Sequence, residues 1–192
     1  LTRAEDALAA AAFGADFVGF VLWSNSPRAT TVEHVRTMVA ALPATVTPVG
    51  VFVDPTVDEV RAAADAGIRV AQVHSDAPTF LRGVTIPVVR AVHLAPVGIT
   101  PEVPDELVLL DAYDPVAKGG TGRTIDWERA ARVAQRRRVI LAGGLTPSNV
   151  QQAIVRLKPY AVDVASGVES SPGIKDHALI QAFITAARSA AA

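Results

Sequence analysis

Arg138-Val-Ile-Leu-Ala-Gly-Gly-Leu-Thr-Pro147 and Tyr160-Ala-Val-Asp-Val-Ala-Ser-Gly-Val-Glu169 are two β-branched runs, each breaking into glycine where a helix is due to begin. A strand ending in small residues leaves backbone N–H groups uncovered, and the helix N-terminus that follows adds partial positive charge. Two such ends side by side predict a site for a dianionic phosphate group, with Gly143, Gly144, Ser166 and Gly167 as the candidates. Glycine needed only for tight turns is the ordinary alternative; two such turns on consecutive strands are stronger evidence than one. A third cluster, Lys118-Gly-Gly-Thr-Gly-Arg123, follows an apolar run that stops on Asp111. Gly119, Gly120 and Gly122 there read as a flexible, lid-like loop. No Gly-x-x-x-x-Gly-Lys-Ser/Thr or Gly-x-Gly-x-x-Gly follows a strand, which disfavours nucleotide binding.

Outward from these ends, helix-period and strand-type segments alternate along the chain. Thr2 with Glu5 predicts a capping box at the start of a helix that ends near Gly14. Strands are expected at 16–22, 49–53, 70–74, 87–92, 107–111, 139–142 and 161–165. Helices are expected at 32–42, 56–66, 126–136, 147–157 and 176–191. Strict alternation with short connections argues for a wholly parallel sheet. The pattern counts to about seven strands and about eight helices, opening on a helix, whereas a closed (β/α)₈ TIM barrel needs eight strands. An open doubly wound sheet is the alternative. The phosphate-type ends fall on the last two strands, as in barrels, so the expectation is a single α/β domain over 1–192, a (β/α)₈ TIM barrel with its first β-strand missing from the chain.

Composition narrows the function classes. Half of the 192 residues are hydrophobic but only 5% are aromatic, which favours a Val/Ile/Leu/Ala interior of the parallel α/β kind. The net charge is −1 with both signs interspersed, so no nucleic-acid partner is expected. Arg136-Arg137-Arg138, the one basic run, reads as a solvated helix end. Without cysteine there is neither a disulfide nor a thiolate metal site. No apolar run approaches membrane-spanning length and no signal peptide is visible. A cytoplasmic protein with no membrane partner and no metal or other cofactor is the expectation.

Among polar residues, Asp111 closes the strand Val-Leu-Leu-Asp. Partial desolvation at a strand's C-terminal end raises a carboxyl pKa enough for it to hold a proton; a helix-cap or turn aspartate is an equal alternative on position alone. Arg28 follows Trp23-Ser-Asn-Ser-Pro27, a stiffened loop from which a guanidinium can hold a carboxylate in a bidentate pair, although a plain surface arginine is commoner. Gln72 and His74 are two apart on one strand and therefore share a face. Asp163 sits within an apolar strand, where a buried carboxylate needs partners. His34, His93 and His177 have no metal spacing and receive no role.

In order along the chain, Ser26-Pro-Arg28, Val49-Gly-Val-Phe-Val53, Gln72-Val-His74, Leu109-Leu-Asp111, Gly119-Gly-Thr-Gly122 with Asp126-Trp127, Ala142-Gly-Gly-Leu-Thr-Pro147 and Asp163-Val-Ala-Ser-Gly-Val-Glu169 resemble phosphoribosylanthranilate isomerase. The resemblance covers essentially the whole chain. It implies an aldose–ketose (Amadori) rearrangement of N-(5-phosphoribosyl)anthranilate in tryptophan biosynthesis, with no cofactor, by a monomer or homodimer. Asp111 is then the general acid, Arg28 the carboxylate clamp, Gln72, His74 and Asp163 substrate-lining residues, and the two glycine ends the phosphate site. Two departures stand out. Ser75 replaces the glycine usual after the Gln-x-His pattern. The family's opening strand ends Lys-x-Cys-Gly-x-Thr, its cysteine serving as general base, whereas this sequence begins Leu1-Thr2, so the chain as written is expected to be inactive or impaired. A phosphosugar-binding pseudoenzyme, a domain of a fused bienzyme, and a histidine-pathway ribonucleotide isomerase using two aspartates are the competing readings.

Overall fold

A computed structural model describes residues 1–75, 83–94, 107–112 and 127–191. The chain forms two compact units, Leu1–Val89 with Ser170–His177, and Arg90–Glu169 with Ala178–Ala192.

In the first unit, α1 (Ala4–Phe13), β1 (Phe17–Val21), α2 (Val32–Ala40), β2 (Thr47–Val53), α3 (Val57–Asp65) and β3 (Val70–His74) follow the predicted alternation. β1 pairs in parallel with β2, and β2 with β3. Burial alternates residue by residue along β2, as a pleat dictates. Gly50 makes room on the buried face, since a Cβ there would lie 2.8 Å from the Phe52 ring. Helix α1 stops at Gly14, whose φ of +99° suits glycine and ends the helix in a left-handed cap.

The capping box predicted at Thr2 and Glu5 does not form. Arg3 occupies the N-cap position without a side-chain cap, because the Thr2 hydroxyl donates instead to the carbonyl of Gly173. Glu5 is drawn to Arg3, 3.4 Å away. The same Thr-x-x-Glu pattern does make a box at α3. There the Thr56 hydroxyl accepts from the Glu59 N–H at 3.2 Å, and Glu59 accepts from the Thr56 N–H at 2.7 Å.

A short ribbon absent from the sequence reading, β8 (Glu169–Ser171) and β9 (Ile174–Lys175), turns through Pro172-Gly173. Gly173 has φ +84°, the value a type II turn requires at its third position.

The second unit contains β4 (Val88–Leu94, entered from the first), β5 (Leu107–Ala112), α4 (Trp127–Ala134), β6 (Arg138–Leu141), α5 (Val150–Leu157), β7 (Ala161–Val162) and most of α6 (His177–Ala191). Its ladders β4–β5, β5–β6 and β6–β7 are again all parallel. Val108, Leu109, Leu110, Val139 and Leu141 are buried, the Val/Leu strand interior expected of a sheet covered on both faces.

Two boundaries move by three residues. β7 is two residues long rather than five, and α5 starts at Val150 rather than Pro147. Thr146–Asn149 is a separate turn, held by Asn149 N–H to Thr146 C=O at 3.2 Å. Of the basic run, Arg136 and Arg137 follow the C-terminus of α4, where cations complement the helix's negative end, while Arg138 opens β6. Arg138 also stacks 3.7 Å from the Tyr160 ring centroid. Among the described residues, no helix is long and apolar enough to cross a membrane. Residue 126, where the fourth helix is expected to begin, lies outside the described residues, as do Gly119, Gly120 and Gly122.

Candidate active site

The C-terminal ends of β5, β6 and β7 meet at one level. The Ala142 N–H donates to the Leu110 carbonyl and the Asp163 N–H to the Leu141 carbonyl, each at 2.8 Å, so the ladder carries one residue past both strand ends. Asp111, Ala142 and Asp163 are therefore brought side by side by parallel pairing alone. A cavity of about 40 Å³ opens there, lined by Asp111, Ala142–Leu145 and Asp163–Ser166. It has the size of one polar group of a ligand, a few times what a single water needs.

Asp111 is 6% exposed within a strand whose other members are apolar. Asp163 departs from expectation: it is exposed rather than buried. The cause is the early end of β7, which leaves Asp163 beyond the last strand residue, facing the cavity instead of a covered sheet.

The two glycine ends touch. A Cβ on Gly167 would fall 1.9 Å from the Leu145 carbonyl oxygen, so only glycine lets the Ser166–Val168 3₁₀ turn lie against the Gly143–Leu145 turn. Gly143 and Gly144 both have positive φ, +82° and +68°. Their turn is braced by Asn149, a residue the sequence reading passed over. Its side-chain amide donates to the Gly144 carbonyl at 2.9 Å and its Oδ1 accepts the Thr146 N–H at 2.8 Å. The signal was available: a Thr-Pro-Ser-Asn run before a helix is rich in side chains that bond local backbone.

Three further candidates lie in the first unit. Arg28 is half-buried in a tight loop: its N–H donates to the Ser26 hydroxyl at 3.1 Å, and the loop rejoins β1 through a parallel bridge between Val21 and Ala29. Gln72 and His74 share a face of β3 as predicted, the Gln72 amide nitrogen 3.1 Å from His74 Nε2. Ser75 follows that strand and is half-buried. Asp54, which carries no expectation from the sequence, ends β2 with φ +44° and its N–H on the His74 carbonyl at 3.0 Å. No group of three or more His, Cys, Asp or Glu suited to a metal ion occurs among the described residues.

Parallel βα units with a buried carboxyl and two abutting glycine turns at their strand ends define a class: α/β enzymes that act on small phosphate esters. The family model for N-(5'-phosphoribosyl)anthranilate (PRA) isomerase matches residues 1–186. An N-(5'-phosphoribosyl)anthranilate isomerase of Pseudomonas fluorescens Pf0-1 is 45% identical over 195 residues, covering 98% of this chain and 95% of the relative. The crystal structure of the Thermus thermophilus phosphoribosyl anthranilate isomerase superposes with a TM-score of 0.88 at 38% identity, covering 98% of this chain and 96% of that one. A second phosphoribosyl anthranilate isomerase structure, in complex with reduced 1-(o-carboxyphenylamino)-1-deoxyribulose 5-phosphate, gives 0.82 at 33% identity with 98% and 95% covered. This chain belongs to the phosphoribosylanthranilate isomerase family.

Proposed function

We propose that the chain converts N-(5-phosphoribosyl)anthranilate to 1-(2-carboxyphenylamino)-1-deoxyribulose 5-phosphate, with Asp111 as the general acid. The observation that carries this reading is the cavity shared by the buried Asp111 and the two abutting glycine turns. Asp111 gives its proton to the furanose ring oxygen as the C1–O bond breaks, and the anthranilate nitrogen lone pair forms the Schiff base. Loss of the C2 proton then gives an enaminol, and tautomerisation to the ketone completes the isomerisation with no net redox change. No residue of 1–192 is assigned the removal of the C2 proton.

The phosphate is held by N–H groups of the Gly143–Gly144 and Ser166–Gly167 turns, where uncovered backbone donors supply positive charge without a metal. Arg28 takes the anthranilate carboxylate, a planar anion matched to its fork. Gln72, His74 and Asp163 line the substrate. A (β/α)₈ barrel, supported by the superposition at TM-score 0.88, is part of the same reading, as is a single cytoplasmic domain, monomeric or homodimeric.

The experiment compares two chains: the sequence as written, and the same sequence preceded by a strand ending Lys-x-Cys-Gly. Turnover in the second, abolished by Asp111→Asn without loss of product-analogue binding, is the expected result. A folded second chain that binds the analogue and turns nothing over would favour a binding protein and sink the catalytic assignment.

A further inference from the structure

Asp6 is wholly buried, and its carboxylate accepts four hydrogen bonds. Arg3 supplies two, from Nε at 3.0 Å and Nη2 at 2.7 Å. The other two come from the β8–β9 ribbon and its exit: the Lys175 N–H at 3.1 Å and His177 Nε2 at 2.9 Å. A buried carboxylate satisfied this completely fixes its donors in place, because moving any one of them leaves charge uncompensated away from water. The partners are 169 and 171 residues away in sequence, so the ribbon is held to α1 by tertiary structure alone.

The ribbon's turn in turn lies against the Arg28 loop. A Cβ on Gly173 would come within 3.3 Å of the Pro27 carbonyl oxygen and 3.5 Å of Thr2 Cγ2, and the Thr2 hydroxyl donates to the Gly173 carbonyl. That Pro27 oxygen belongs to the peptide linking Pro27 to Arg28, so a displaced turn shifts the backbone from which the guanidinium projects. We infer that Asp6 is a positioning residue for substrate recognition: by fixing the Lys175–His177 backbone and hence the Gly173 turn, it sets where Arg28 meets the substrate's carboxylate. The inference rests on the reading of Arg28 given above.

Two probes test it by calorimetry on the full chain: reduced 1-(o-carboxyphenylamino)-1-deoxyribulose 5-phosphate, and the same compound without the ring carboxylate. In the wild type the first is expected to bind more tightly. Asp6→Asn is expected to cut that preference by about 10-fold, since a shift of about 1 Å in a positioned group costs up to about 10²-fold, while the carboxylate-free probe keeps its affinity within about twofold. In the Arg28→Ala background Asp6→Asn is expected to add nothing to the loss of preference, the non-additivity of residues acting through one contact. Equal weakening of both probes by Asp6→Asn overturns the inference, because a merely structural role moves both alike. A preference that survives Arg28→Ala overturns the Arg28 assignment, and the inference with it; a preference lost in Arg28→Ala but intact in Asp6→Asn overturns the inference alone. Should Asp6→Asn not fold, Gly173→Ala perturbs the other end of the same chain of contacts, and an unchanged preference there counts against the inference.

Discussion

Replacing Gly167 with alanine is the sharpest test of how the phosphate turns are built. No positive φ is involved at this position, so alanine suits the backbone and the whole effect is steric. The new Cβ would stand 1.9 Å from the Leu145 carbonyl oxygen, where 3.0 Å is the floor for real contacts, so the two turns must separate by at least 1.1 Å (3.0 minus 1.9). Val164 Cγ2, 3.2 Å away, limits relief by rotation. Overpacking of this kind costs about 1–3 kcal/mol of stability, and donors moved by about 1 Å from a bound group forfeit up to about 10²-fold in affinity. The expected result is a lowered urea midpoint together with roughly 10- to 100-fold weaker calorimetric binding of the phosphate-bearing product analogue, and loss of competition by inorganic phosphate. Gly19→Ala is the control: its Cβ meets only Val51 Cγ2 at 3.7 Å, an ordinary contact, and phosphate affinity should not change. Wild-type affinity in Gly167→Ala, with the Leu145 and Gly167 backbones unmoved in a crystal structure, would refute the idea that the abutting turns form the phosphate site.

Asp111→Asn should lower kcat by about 10²–10⁴-fold, the span of general acid catalysis, with analogue affinity within a few fold; wild-type turnover in a chain carrying its base would remove Asp111 from the mechanism. Arg28→Ala should weaken the carboxylated analogue by roughly 10- to 150-fold, from about 1.5–3 kcal/mol for hydrogen bonds to a charged group, and equal loss for a carboxylate-free analogue would contradict the clamp. Burial pushes the Asp6 carboxyl up, but hydrogen bonds from Arg3, His177 and the Lys175 backbone, with the Arg3 charge, outweigh it and hold the pKa below the ordinary 3.8. A depressed folded-state pKa stabilises above the unfolded value and the stabilisation is lost as pH falls through the folded one, so stability followed by urea titration should decline below about pH 4 and decline less steeply in Asp6→Asn. Thr56→Ala, which removes the capping box at α3, should cost about 1 kcal/mol, and a urea midpoint indistinguishable from wild type would mean the box contributes nothing.

The alternation of strands and helices, the parallel pairing and the glycine ends were legible because each rests on local chemistry. Period-2 and period-3.6 patterning, β-branched runs and glycine at turns are properties of a few neighbouring residues. Asp111 was legible for the same reason: an aspartate that stops a Val-Leu-Leu run marks the strand end on which it sits. The identical Thr-x-x-Glu pattern at Thr2 and Thr56 shows where that reasoning stops. At Thr56 the hydroxyl keeps to Glu59 and the box forms; at Thr2 a carbonyl 171 residues away takes it.

Asp163 was expected inside a strand because its neighbours are apolar, yet β7 ends one residue earlier and the carboxylate is exposed. Strand length is decided by which neighbour offers a partner, and composition does not record that. The same holds for Gly167, whose necessity comes from Leu145 rather than from its own turn, and for His177, which had no role until folding set it on Asp6. Sequence alone determined the principal helices and strands, their parallel order and the residue types at the strand ends, since those follow from spacing and local propensity; the β8–β9 ribbon did not. Only the tertiary structure decided which turns abut, which carboxylate is buried and which is open, and what holds the Arg28 loop, because each depends on contacts between residues far apart in the chain.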